Sequence, residues 1–252
     1  MKRILLSIMV ISLFSFLAGC DGKAKDDSSK AESSKGTKET KFANYINVAD
    51  TKGKTTMTLI GHASVKIVSK DGKVIYIDPY YNGDYTQKGD IVLVTHNHDD
   101  HNHVDLVTLN ANGTVLKSAD MLKDGTYQTK DINSIKIEAV SAENSNHKRS
   151  ECVGYIITVD GITVYHAGDT SKIDDMTKLA DRNLDYALLP TDGIYNMSSE
   201  EATECADIIK AKHSIPIHVT LGQADYDLDN AKLFTPKNGM LVEYGKTIEL
   251  TK

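Results

Sequence analysis

Beyond residue 55 the chain alternates apolar and polar positions with the period of two that marks half-buried strands. Residues 56–60 and 64–69 alternate, and Asp71-Gly72 supplies a hairpin turn before a third strand at 74–77. Asp90 to Val94 is an apolar run after its first residue and rich in β-branched side chains, the pattern of a buried strand ending in a loop. Further strands are predicted at 113–117, 134–140, 155–159, 162–165, 186–189, 215–219, 240–243 and 247–250. Asp160-Gly161 makes a second hairpin turn. Helical spacing is confined to 104–109, 173–179, 200–212 and 230–234, with Ser198 or Ser199 as N-cap of the third. Strand runs interleaved with a few helices support an α/β or α+β domain, and no internal repeat is evident.

The first 42 residues follow another pattern. Lys2-Arg3 precedes an apolar run, residues 4–17, that is too short for a stable membrane span. The run ends in Leu17-Ala18-Gly19-Cys20, which resembles a bacterial lipobox. That resemblance implies export, removal of residues 1–19 and lipidation of Cys20, hence a membrane anchor. Residues 21–42 are rich in Lys, Ser and acids and hold too few apolar side chains to offset the entropy of ordering. The expected organisation is a signal peptide at 1–19, a lipidated tether at 20–42 and a single folded domain at 43–252.

Charge and cysteine content narrow the function. The 252 residues carry a formal −6, and residues 1–42 hold eight Lys/Arg against five Asp/Glu, leaving −9 on the rest. So acidic a domain argues against a nucleic-acid surface and leaves a small molecule as the expected partner. Cys20, Cys152 and Cys205 have no C-x-x-C spacing, so thiolate zinc and redox motifs are not expected. Cys152 and Cys205 can pair or stand as separate buried thiols.

The candidate chemistry lies just after the apolar run at 90–94, in Thr95-His96-Asn97-His98-Asp99-Asp100-His101. Three imidazoles and a carboxylate within six positions of a loop suit a divalent metal. His96 and His98 are spaced to share one ion, and Asp100 and His101 to serve a second beside it.

H-x-H-x-D-H at a strand end resembles the metallo-β-lactamase superfamily of metallohydrolases, and in particular its ascorbate-6-phosphate-lactonase-like branch. The same resemblance is carried, in order, by Gly61-His62-Ala63-Ser64, Ile77-Asp78-Pro79, Tyr165-His166-Ala167-Gly168-Asp169-Thr170, Pro190-Thr191-Asp192-Gly193 with Met197, and Ile215-Pro216-Ile217-His218. It implies an αββα sandwich of two mixed β-sheets with helices outside. It also implies two divalent ions, zinc first, with manganese or iron also suited. Asp169 is then the carboxylate bridging the ions, and His218 completes the second ion with Asp100 and His101. The third ligand of the first ion is His147 or its competitor His166, and a supporting role for His166 is favoured. The implied reaction is hydrolysis of an ester, lactone or phosphodiester by water activated between the ions, with Asp100 as proton acceptor. His62 is expected to line the pocket, Asp78 to orient a ligand, and Asp192 and Tyr195 to face the substrate. His103 is expected as a neighbour in the loop and His213 as a histidine at a helix C-terminus, favoured there by the dipole. The contrasting possibility is a metal- or solute-binding lipoprotein on the same fold without catalysis.

Overall fold

A computed structural model describes residues 40–80, 82–221 and 225–252. The expected signal peptide, Cys20 and nearly all of the tether lie outside the described residues. Lys41 and Phe42, expected at the end of the tether, instead pair in parallel with Met240 and Leu241. Thr40 Oγ1 donates to the Phe234 carbonyl at 2.5 Å, so the folded chain begins before residue 43.

Twelve strands form two six-stranded sheets. The first contains β1 (Thr56–Gly61), β2 (Ser64–Val68), β3 (Val74–Ile77), β4 (Gly89–Val94), β5 (Leu109–Lys117) and, arriving last, β12 (Lys246–Glu249). The second contains β6 (Thr129–Ile132), β7 (Ile135–Ser141), β8 (Val153–Val159), β9 (Ile162–His166), β10 (Tyr186–Pro190) and β11 (His213–Ile217). Their orders are β12-β1-β2-β3-β4-β5 and β11-β10-β9-β8-β7-β6. Each sheet has three antiparallel pairings, then two parallel ones, β3-β4-β5 in the first and β9-β10-β11 in the second.

Alternation along the strands decides which side chains meet between the sheets. Met57, Leu59, Ile75, Ile77, Ile91 and Leu93 from the first sheet pack with Ile135, Ile137, Val153, Tyr155 and Ile157 from the second. The outer face of the second sheet is covered by the 3₁₀ helix Asp174–Arg182 and the helices Ser199–Ile209 and Leu228–Leu233. Met176, Leu179, Ala202, Cys205, Ala206, Ile209 and Phe234 bury its outward Tyr165, Ala187 and Leu189. Ser198 caps the middle helix by accepting from the Glu201 amide, an interaction worth about 1 kcal/mol. The outer face of the first sheet has a thinner cover. Tyr85, Val107 and the 3₁₀ turn Val104–Leu106 close over Tyr76, Val92 and Val94. This is the two-sheet sandwich expected, with few helices. Among the described residues no helix is long and apolar enough to cross a membrane.

Cys152 and Cys205 are separate free thiols, each buried and each pushed up to about 12 by that burial. They are inert at neutral pH.

At the loop edge the two sheets are stitched together by hydrogen bonds. The Val153 amide donates to the Thr95 carbonyl at 3.0 Å, and the His218 amide to the His62 carbonyl at 2.9 Å. Gly168 makes close approach possible here. It sits at φ +64°, and a Cβ there would fall 2.9 Å from both the Val153 oxygen and Thr95 Cβ.

Candidate metal centre

The parallel strands of both sheets end at one edge, and the residues of the candidate site follow such an end, lie in the β1–β2 turn or, for Asn144 and His147, lie in the loop between β7 and β8. Thr95 to His101 follow β4, Asp78 follows β3, Asp169 follows β9, Asp192 follows β10 and His218 follows β11. Crevices beyond the carboxyl ends of parallel strands are where open α/β sheets bind ligands. His62, Asp78 and His218 all have positive φ, between 47° and 56°, which is uncommon for residues other than glycine. Three such positions in one cluster mark a backbone held for its side chains.

Two clusters and a shared carboxylate result. His96, His98 and His147 present ring nitrogens within 4.8 Å of one another, and ring nitrogens of His62, His101 and His218 lie equally close to one another and to a carboxylate oxygen of Asp100. Asp169 joins them. Its Oδ1 lies 3.3 Å from His101 Nε2, while its Oδ2 lies 3.4 Å from His147 Nε2 and 3.6 Å from His218 Nε2.

Buried carbonyl and carboxylate oxygens fix which ring nitrogen each histidine offers. His101 Nδ1 donates to Asp78 Oδ2 at 2.8 Å. Thr95 Oγ1 donates to the same oxygen at 2.7 Å, the Thr95 amide donates to Asp78 Oδ1 at 2.7 Å, and His96 Nδ1 sits 3.0 Å from Thr95 Oγ1. His147 Nδ1 donates to Asn144 Oδ1 at 2.8 Å. His218 Nδ1 lies 3.1 Å from Asp192 Oδ2. The Nε2 atoms of His96, His101 and His218 and Asp169 Oδ1 are fully buried and make no hydrogen bond. Buried polar atoms are seldom left so, and here they converge on one region. Neutral imidazoles with a free Nε2, plus two carboxylates, are the donor set of a divalent metal, so the residues present fit one.

The electrostatics agree. Burial pulls His96 down to about 3, and also lowers His62 and His147, keeping these rings neutral. Burial opposes charge on His101 and His218 as well. Asp169 and Asp78 nevertheless hold His101 above its ordinary value, and Asp169, Asp100 and Asp192 push His218 up to about 9. Burial would raise Asp100 and Asp169. Hydrogen bonds from His218 and His62 hold Asp100 below the usual carboxylate range, and the charges of His101 and His218 do the same for Asp169. In the metal-free protein, protons on His101 and His218 offset the carboxylates that a cation would otherwise neutralise.

His147 and His166 separate cleanly. His147 enters the first cluster, with Nε2 3.1 Å from His98 Nδ1. His166 is fully buried with both ring nitrogens used: Nε2 donates to the Ala63 carbonyl at 2.8 Å, and Nδ1 accepts from the Gly168 amide at 3.1 Å. It braces the β1–β2 turn against the Asp169 loop. His62, expected only to line the pocket, enters the second cluster and donates from Nε2 to Asp100 Oδ2 at 3.1 Å. Asp192, expected to face the substrate, has a fully buried side chain. Its Oδ1 accepts from the Ile194, Tyr195 and Asn196 amides and its Oδ2 faces His218, so its charge is spent within the protein. Tyr195 does face the cleft. His103 lies beside Asp99 as a loop neighbour, whereas His213 does not end a helix: the helix stops at Ile209, and His213 opens β11 stacked on Tyr186.

Sequence reasoning missed Asn144 and Asn196. Asn144 Nδ2 donates to Asn196 Oδ1 at 3.1 Å, and Asn196 Nδ2 donates to Asp192 Oδ2 at 2.8 Å. The acceptors behind His147 and His218 are thereby joined in one chain of amides. The Asn-x-x-His spacing of a local side-chain cap was the only signal available. A cleft of about 760 Å³ opens over the site, lined by Tyr80, His98, Asp100, His147, Asp169 and Tyr195 among others.

Comparison with known proteins agrees with this geometry. The model of the Beta-lactamase superfamily domain matches residues 56–218. A UPF0173 metal-dependent hydrolase of Saccharolobus solfataricus is 31% identical over 224 residues, covering 76% of this chain and 97% of that protein. Another, from Myxococcus xanthus, is 32% identical over 201 residues, covering 68% and 72%. The crystal structure of a metal-dependent hydrolase from Parabacteroides distasonis superposes with a TM-score of 0.62 at 30% identity, covering 75% of this chain and 91% of that one. The chain belongs to the metallo-β-lactamase superfamily, among its metal-dependent hydrolases.

His147→Ala should lower the metal bound per chain, measured by elemental analysis, with little change in melting temperature of the chelated protein. His166→Ala should do the opposite, lowering that temperature while metal binding persists. Equal metal loss in both would return His166 to the donor set.

A pH test follows from His101 and His218. A ring with a raised folded pKa adds stability that is fully present below its unfolded value of about 6.5 and is lost as pH rises through the folded value. For His218 that window runs from about 6.5 to about 9. Rings lowered by burial act below it. Chelator-treated protein should therefore lose melting temperature from pH 7 to 9, while metal-loaded protein, having released those protons, should lose much less. A chelated melting temperature that is flat or rising over this window would overturn the assignment.

Proposed function

We propose that the protein cleaves an ester, lactone or phosphodiester bond of a small molecule, using two divalent ions. His96, His98 and His147 would hold one, Asp100, His101 and His218 would hold the other, and the Asp169 carboxylate would serve both. The observation that carries this reading is the convergence on the two oxygens of Asp169, at the floor of a cleft, of the buried, unbonded Nε2 atoms of His101 and His218 together with Nε2 of His147. Zinc is the first choice for such a set, with manganese and iron as alternatives. When bound, the ions supply Lewis acidity and lower the pKa of water toward neutrality.

The chain's own residues do the rest. Asp78, Asn144 and Asp192 hold three imidazoles so that Nε2 faces inward. His62 fixes Asp100 from behind. Asp100 is ionised and one-third exposed to the cleft, where it is placed to accept the proton of the attacking water. The likeness to UPF0173 metal-dependent hydrolases supports hydrolysis and leaves the substrate open.

Asp169→Asn tests the reading. The amide conserves volume but offers one acceptor oxygen and no charge between two cations. Ester or phosphodiester turnover should fall by orders of magnitude and bound metal should drop, with native circular dichroism. Near wild-type turnover with full metal would remove the central support. Turnover also separates a hydrolase from a metal- or solute-binding protein.

The lipobox-like Leu17-Ala18-Gly19-Cys20 supports a lipid anchor on an exported protein. Cys20→Ser should move the protein from the membrane to the soluble fraction, and unchanged membrane fractionation would rule the anchor out.

A further inference from the structure

The cleft is larger than the reacting groups require, and the rest of its wall has its own chemistry. Tyr80, Tyr195 and Leu221 line it beside the metal-site side chains. Tyr195 is 55% and Leu221 45% exposed, and Ile194, next to Tyr195, is 64% exposed. Single exposed apolar side chains are ordinary, but a group of them at the mouth of a reactive cleft is a binding surface.

The wall is held in place. The Tyr80 amide donates to Tyr85 Oη at 2.8 Å, and that hydroxyl donates back to the Tyr80 carbonyl at 2.8 Å. The Tyr195 amide donates to Asp192 Oδ1 at 2.7 Å, and its carbonyl accepts from Asn144 Nδ2 at 3.0 Å. A pre-organised aromatic wall loses little entropy when a ligand settles on it.

Charge is the second observation. Among the described residues lining the cleft there is no lysine or arginine, while the exposed carboxylate of Asp99 lines it. A neighbouring cleft of about 430 Å³, also lined by His98 and His147, contains Lys148. That Nζ lies 3.1 Å from Glu151 Oε1, so the pair is neutral. Recognition of a phosphate or carboxylate uses arginine or lysine, and an anionic group away from the reacting bond finds neither here.

We infer that the non-reacting part of the substrate is uncharged and apolar, an alkyl or aryl group seated on Tyr80, Tyr195 and Leu221. The bond cleaved is then that of a hydrophobic ester or lactone, not of a phosphorylated or carboxylated one. This rests on the hydrolase reading above.

Binding and turnover test the two readings apart. Straight-chain alkyl hydroxamates, which chelate metal ions, are titrated by calorimetry into the metal-loaded full chain. Affinity should rise about three- to fourfold per methylene from acetohydroxamate to hexanohydroxamate. Tyr195→Ala and Leu221→Ala should flatten that slope. A flat series in the wild type, or tighter binding of a phosphate-bearing hydroxamate than of the alkyl series, overturns the inference. Turnover is read on p-nitrophenyl esters and on γ-lactones of increasing chain length. Chain-length-dependent binding with no turnover supports the apolar wall and sinks the hydrolase reading. Turnover that ignores chain length, with flat binding, sinks the wall and leaves the hydrolase.

Discussion

The carboxylate of Asp78 is the interaction on which the site depends. It is fully buried at the end of β3, in a left-handed backbone conformation. Burial opposes its charge, yet His101 holds it ionised. It accepts from the Thr95 amide, the Thr95 hydroxyl and His101 Nδ1. Hydrogen bonds to a charged acceptor contribute roughly 1.5–3 kcal/mol each, enough together to offset the cost of desolvating it. Those bonds fasten the loop after β4 to the end of β3. They also aim His101 directly and His96 through Thr95. Without that carboxylate the loop would keep its histidines but lose their common direction.

The same device recurs on the second sheet with different chemistry. Asn144 takes up His147 Nδ1 in a hydrogen bond, and the Asp192 carboxylate stands 3.1 Å from His218 Nδ1, so that in each ring Nε2 is the nitrogen turned to the cluster. A neutral amide suffices for His147, which stays uncharged. A carboxylate stands behind His218, where it adds to the field that holds a proton on that ring until a metal displaces it. Asn196 joins the two acceptors, so neither can turn without disturbing the other.

The strands were legible because burial between two sheets imposes alternation, and the metal loop was legible because so many donors in so few positions have few other uses. What escaped depended on contacts distant in the chain. β6 is exposed along most of its length and pairs at a sheet edge, so Thr129–Ile132 carries no apolar alternation. β5 begins four residues before its expected start, because Leu109 pairs with Gly89 of β4 ahead of an irregular stretch, 110–113, that carries no apolar alternation, and regular pairing resumes at Thr114. Asp192 looked like a substrate contact because it opens a loop before a helix. Its three amide donors lie within that loop, but the ring it faces belongs to another strand. His62 matched a pocket position, and only the pairing of its carbonyl with the His218 amide shows why it stands inside the second cluster.

Those cross-sheet bonds link metal binding to the fold itself. The first sheet supplies His62, Asp78 and the loop from Thr95 to His101, and the second supplies His147, Asp169 and His218. Metal held between them therefore bridges two layers already joined by His218 to His62, His166 to Ala63 and Val153 to Thr95. The left-handed residues at His62, Asp78 and His218 cost free energy that the apolar core must offset. A cation binding only the folded arrangement returns part of it, by an amount that grows with the logarithm of its concentration over its dissociation constant. The left-handed residues and the unpaired nitrogens thus belong to one arrangement: a backbone held so that donors from both sheets meet at one place, where a cation would be bound in one geometry.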